Sequence, residues 1–119
     1  MLAFDDCERA IEFYKKAFGA QEVGQRHPWE GKIGHAEMSI GGANIMLADE
    51  FPVYNASPKT LGGTPVILNL TVDDTDAWVE RAVAAGAELL RGPKDEEYGR
   101  VCTIRDPFGY KWMLIRPSG

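Results

Sequence analysis

Apolar and polar positions fall into two patterns along the chain. The first is helical: Ala10, Phe13, Tyr14, Ala17 and Phe18 recur at three- and four-residue steps and so share one face of a helix. Asp6 stands where an N-cap belongs, with Arg9 where a capping box would put Glu, and Gly19 supplies a left-handed stop. Met1–Phe4 reads as the tail of a strand before this helix, and Gln21–Gln25 begins one after it. The second pattern has period two. Across Lys32–Ile40, Ala36, Met38 and Ile40 face one way while Ile33, His35, Glu37 and Ser39 face the other. Gly41-Gly42 turns the chain and Asn44–Ala48 returns, which predicts a hairpin with one apolar and one partly polar face.

Both patterns then recur. In Val66–Val72, Val66, Leu68, Leu70 and Val72 oppose Ile67, Asn69 and Thr71. Asp74 or Thr75 caps a helix through Ala85, with Trp78, Val79 and Ala82 on its inner stripe and Gly86 at its end. Glu88–Arg91 is a strand and Gly92–Tyr98 a charged loop. Arg100–Arg105 and Tyr110–Ile115 are strands joined by Asp106-Pro107-Phe108-Gly109, a turn in which Asp can bond its own backbone. Asp5-Asp6 and Asp73-Asp74 lie 68 positions apart (73 − 5), and Gly19-Ala20 and Gly86-Ala87 lie 67 apart (86 − 19). The order is strand, helix, three strands, and the same again. Such a duplication predicts one α+β domain of two related units with the site between them. Module one covers about 1–50, a connection about 51–64, and module two about 65–119. Each helix covers one face of its sheet. The opposite faces, if the sheets join edge to edge, form a curved and partly polar cup.

Two segments have no clear period. His27-Pro28-Trp29-Glu30-Gly31 reads as a turn or loop, with Trp29 over the mouth of the cup, in the core or on the surface. Asp49–Thr64, with Pro52, Pro58 and Gly62-Gly63, reads as a long loop in which Phe51 and Tyr54 either anchor the segment or form a pocket wall. Trp78 and Trp112 read as core residues.

Composition narrows the function classes. A chain of 119 residues with net charge −5 has no electrostatic reason to favour nucleic acid or an acidic membrane. It lacks an apolar run long enough to span a bilayer, and its first residues place an acidic pair where a signal peptide needs a basic region. Cys7 and Cys102 fit no metal or redox spacing and read as free thiols of a cytoplasmic protein. Neither Ser39 nor Ser57 has a nucleophile context, and no glycine loop of phosphate-binding type is present.

The segments "ERAIEFYKKAFGA", "GHAEMSIGGANIMLADE", "SPKTLGGTPV", "VDDTDAWVERAVAAGAELL" and "DPFGYKWML", in that order, resemble the vicinal oxygen chelate superfamily. Within it they look like the glyoxalase/bleomycin-resistance branch and its PhnB-like proteins. The resemblance implies paired βαβββ modules whose mixed sheets form a cup, with the helices outside. It also implies, in many members, a divalent metal held by one ligand from each of four strands. Carried over, the first ligand would fall about two residues ahead of Met1. The second corresponds to Glu37, the third to Ile67 and the fourth to Met113. That set supplies one carboxylate, one aliphatic chain and one thioether, where a divalent ion needs three or four converging O or N donors. His35 and Glu37, on one strand face, are the only metal candidates, and no cofactor is favoured.

The expected site is therefore an apolar cup with a few placed polar groups. His35, Glu37, Asn69 and Thr71 would orient a ligand; Ile67, Met113, Trp29 and Tyr54 would pack against it. The first expectation is a binding protein that sequesters a drug or metabolite without transforming it. The alternative is a metal-dependent lyase, isomerase or dioxygenase of the same superfamily, and a metal-free enzyme with Glu37 as general base is a third reading. A homodimer is expected, with module exchange sterically open to it through the long connection. The short first strand also points to help from a partner.

Overall fold

Asp6 and Asp74 open the two long helices in the same way. Each has extended backbone and accepts the N–H three residues on, from Arg9 and Ala77. The computed structural model describes residues 1–118, and its elements follow the expected order. Module one holds β1 (Leu2–Phe4), α1 (Cys7–Phe18), β2 (Gln21–Glu22), β3 (His27–Trp29), β4 (Lys32–Ile40) and β5 (Ala43–Asp49). The connection contains α2 (Pro58–Leu61). Module two holds β6 (Ile67–Thr71), α3 (Thr75–Ala85), β7 (Glu88–Glu96), β8 (Gly99–Arg105) and β9 (Lys111–Pro117).

The two halves of the chain pair their strands alike. In each module the first strand runs parallel to the last: β1 with β5, and β6 with β9. Antiparallel neighbours then complete the orders β1-β5-β4-β2 and β6-β9-β8-β7, with β3 also on β4. The sheet edges β1 and β6 approach each other, where Met1, Leu2 and Leu68 line one cleft, but no ladder joins them among the described residues. The expected mixed α+β architecture of open, curved sheets is present.

Three local expectations are corrected. His27–Trp29 is a strand rather than a loop: a register shift between His27 and Pro28 absorbs the proline, and Glu30 and Gly31 turn with positive φ into β4. The charged segment after Arg91 is also strand, out to Glu96. Its backbone pairs with β8 despite two register shifts, and Arg100 holds Asp95 and Asp76 across the edge. The connection is not a structureless loop. Ser57 caps α2 and Pro58 starts it, a pairing of cap and proline that the long segment conceals.

Glu50 braces that cap, accepting the Ser57 N–H at 2.7 Å and the Thr60 hydroxyl at 2.7 Å. These donors hold the Glu50 carboxyl below the usual glutamate range. A lowered folded-state pKa stabilises the fold above the ordinary glutamate pKa, and that share is lost as pH falls through the lowered value. Glu50→Gln is therefore expected to reduce stability at neutral pH and to flatten its acid dependence. Thermal unfolding of both proteins from about pH 3 to about pH 7 checks this.

Aromatic residues join the modules. From module one come Phe4, Phe13, Tyr14 and Phe18; from module two, Phe108, Tyr110 and Trp112. Most neighbouring rings meet edge to face at centroid distances of 5.1–6.4 Å. Polar tips cross the same boundary. The Tyr110 hydroxyl donates to the Ala3 carbonyl at 2.8 Å and accepts the Ala3 N–H at 3.0 Å. Tyr14 donates to Asp106. Trp112 is buried as expected, whereas Trp78 is half-buried against Phe18. Gly109 is required by close approach. A Cβ there would lie 2.9 Å from Pro58 Cβ, so the Asp106–Gly109 turn seats α2.

Candidate functional site

The β3–β4 hairpin and the segment after β5 line an open cavity of about 380 Å³. Its walls are Trp29 and Pro28 from β3, Phe51 and Tyr54 from the connection, and Met1. His27, His35 and Asn55 are its polar groups. Gly34 makes this shape possible, because a Cβ there would lie 2.8 Å from Trp29 Cβ and 3.1 Å from the His27 carbonyl oxygen. Only a residue without a side chain lets β3 lie this close over β4.

Polar side chains hold the walls in place. Asp49 accepts the Cys7 N–H at 2.9 Å and the Ile33 N–H at 2.8 Å, tying the start of α1 to β4. Asn55 accepts the Phe51 N–H at 2.6 Å, and the Phe51 carbonyl accepts from Tyr54 and Asn55 in return. The Lys32 ammonium lies 5.5 Å from the Phe51 ring centroid. Tyr54, 80% exposed, is no anchor: its ring is a wall. Trp29, 56% exposed, is likewise outside the core.

The eight candidate residues separate. Trp29, His35 and Tyr54 share this cavity. Met113 lines a second one on module two, with Arg91, Tyr98 and Thr103, of only about 80 Å³. Pockets for drug-sized ligands measure about 300–1,000 Å³, so the second cavity alone is too small. Glu37 accepts from Asn44 Nδ2 at 3.1 Å beside Met46, and lines neither. Ile67, Asn69 and Thr71 lie on the open face of β6, exposed, across the ladder from Lys111, Met113 and Ile115. A further cleft of about 420 Å³ is lined by Lys59, Arg105, Lys111 and the Gly62-Gly63 turn, and has no aromatic wall. Sequence reasoning missed His27, Gly34 and Asn55. The one signal for His27 was its alternation with Trp29, which Pro28 disguised; no local pattern pointed to Gly34 or Asn55.

The donor set does not fit a metal site of the superfamily type. Ile67 and Met113 offer no hard donor, and Glu37 is turned to Asn44. Among the described residues, no group of three or more His, Cys, Asp or Glu side chains is placed to hold an ion. The thiols are poorly placed to act as thiolates as well. Burial pushes Cys7 up to about 12 and Cys102 up to about 11, and both are free. No helix among the described residues is long and apolar enough to cross a membrane.

Comparison with known proteins agrees with the fold. The family model described as Glyoxalase/Bleomycin resistance protein/Dioxygenase superfamily matches residues 1–114. The uncharacterized Mycobacterium tuberculosis protein Rv0887c is 42% identical over 98% of this chain and 71% of its own length. TioX from Micromonospora sp. ML1 superposes with a TM-score of 0.78 at 30% identity, covering 98% of this chain and 94% of its own. TnmS3 from Streptomyces sp. CB03234, an antibiotic binding protein, superposes with a TM-score of 0.72 at 26% identity over 98% and 91%. Lactoylglutathione lyase GLX1 of Arabidopsis thaliana is 27% identical over 93% of this chain and 40% of its own length. With a family model matched over nearly its whole length, the chain belongs to the glyoxalase/bleomycin resistance protein/dioxygenase superfamily.

Proposed function

We propose that the protein is a cytoplasmic binding protein that sequesters a flat aromatic or amphipathic molecule, a drug or metabolite, without transforming it. The aromatic-walled cavity of about 380 Å³ at the β3–β4 hairpin carries this reading. Its walls are apolar, and three placed polar groups can orient a guest. The likeness to TnmS3, an antibiotic binding protein, supports the ligand class. The two buried free thiols support a reducing compartment. The working unit in this reading is a homodimer. Its support here is apolar surface on each module: Met46 on β5 and Ile67 on β6 are exposed, and Met113 and Ile115 on the neighbouring β9 are half-buried. A second copy laying module two over module one, by docking or by module exchange, brings Ile67, Asn69, Thr71 and Met113 to the hairpin cavity. Glu37 then lies on the same enclosed face.

Titration with 8-anilinonaphthalene-1-sulfonate and thermal-shift screening of aromatic antibiotics test the reading. Trp29→Ala or Tyr54→Ala is expected to weaken dye binding about tenfold, the loss of roughly one aromatic contact. Ile67→Asp is expected to weaken it and to shift the sedimentation coefficient toward a monomer. Dye binding indifferent to all three variants overturns the site. A second reading, a metal-dependent lyase, isomerase or dioxygenase, has the likeness to lactoylglutathione lyase GLX1 in its favour. Stoichiometric metal lost in Glu37→Ala would replace the binder with that enzyme.

A further inference from the structure

We infer that His27 and His35 form a two-imidazole chelate for a borderline divalent ion such as Cu(II), Ni(II) or Zn(II), on a face of the hairpin cavity. The β3–β4 ladder places the two residues directly opposite each other, so their side chains leave the sheet on the same side. Their ring centroids stand 5.8 Å apart with planes inclined at 54°. An ion about 2 Å from each coordinating nitrogen holds two adjacent imidazole rings with centroids roughly 5 Å apart. Closing that difference takes side-chain rotation of two residues that are not packed in the core.

Nothing competes for these rings. The hairpin is held by backbone pairing and by Asp49, and among the described residues neither imidazole is engaged in a side-chain hydrogen bond or ion pair. Cys7 and Cys102 are buried. Two imidazoles leave the set one or two donors short of the three or four that such an ion needs; both rings line the aromatic-walled cavity, so water or a polar guest there supplies the remainder. Imidazole favours copper, nickel and zinc over magnesium and calcium, and copper stands highest in that order. The site differs from the superfamily arrangement in place and donors. It lies across one hairpin, and it uses neither Glu37 nor any residue of module two.

Copper titration of tag-free protein, followed by electron paramagnetic resonance, tests this independently of any organic ligand. The expected result is one Cu(II) per chain with nitrogen superhyperfine structure from two imidazoles. His27→Ala and His35→Ala should each weaken binding at least tenfold, with unchanged far-ultraviolet circular dichroism. Mg(II) at equal concentration should leave the spectrum unchanged. A spectrum without two-nitrogen structure overturns the chelate, as does copper binding that survives His27→Ala or falls with Glu37→Ala. Dye binding in the same variants separates this outcome from failure of the proposed ligand cavity.

Discussion

Asp106→Ala is expected to destabilise the protein by about 3–5 kcal/mol, a fall in melting temperature of about 10–20 °C. Asp106 is 3% exposed and accepts four hydrogen bonds. One oxygen takes the N–H groups of Phe108 at 2.9 Å and Tyr110 at 3.0 Å. The other takes the Tyr14 hydroxyl at 2.5 Å and the Trp112 indole N–H at 2.9 Å. Alanine would leave several donors buried without a partner, and each such group costs about 1–3 kcal/mol. It would also cut one of the links between modules, that from Tyr14 on α1 to the turn before β9. Asp106→Asn is expected to cost less, about 1–3 kcal/mol, because the amide would face the Trp112 donor with another donor.

The same residue sets a pH dependence. Burial raises the Asp106 carboxyl above the usual aspartate range, against the four hydrogen bonds that lower it. The folded state therefore binds this proton more tightly than the unfolded chain does. The resulting share of stability is fully present below the ordinary aspartate pKa and is lost as pH rises through the raised one. Asn cannot titrate. The stability difference between wild type and Asp106→Asn should thus be largest in acid and shrink toward neutrality. Chemical denaturation at several pH values checks both sign and window, and a difference that grows with pH would show that the hydrogen bonds outweigh burial.

Gly34→Val is expected to weaken dye binding at the hairpin cavity about tenfold or more while the fold persists. The added Cβ would stand 2.8 Å from Trp29 Cβ, so β3 must move away from β4. Overpacking of this kind costs about 1–3 kcal/mol where the neighbours are fixed. Here β3 is a short edge strand paired only with β4, so displacement relieves the contact. The displacement carries Trp29 and His27 out of the cavity wall. Equal loss of stability and affinity would instead mean that β3 belongs to the folding core. A heteronuclear correlation spectrum, with shifts confined to residues near 27–36, would show that the change is local.

The hydrophobic pattern revealed both long helices nearly to the residue, because capping aspartates and stop glycines act locally and leave a local trace. Asp6 and Gly19 bracket α1, and Asp74 and Gly86 bracket α3, as expected. The alternation across Lys32–Ile40 likewise identified the buried Ala36, Met38 and Ile40, because side chains on a strand alternate whatever it pairs with. β3 escaped because Pro28 masks a strand whose existence depends on a register shift against β4. The charged run after Arg91 escaped for a related reason. Its pairing with β8 is decided by the backbone ladder, and its polar side chains say nothing of that ladder.

The site was less legible than the fold. Strand face placed His35 among the candidates, and aromatic rings in segments without a period placed Trp29 and Tyr54 there; the three share a cavity. Glu37 has the right chemistry and face, but its partner is Asn44, one strand across and seven residues on. Ile67, Asn69, Thr71 and Met113 lie together on module two, away from the hairpin cavity within one chain. By itself the sequence determined the two long helices, their caps and the alternation that leaves a partly polar face on each strand, all of which arise from contacts a few residues apart. Tertiary structure alone decided that His27 stands opposite His35, that Gly34 lets Trp29 close over them, and that Asp106 gathers Tyr14 and Trp112. These depend on strand register and on the packing of one module against the other, which short-range patterns do not encode.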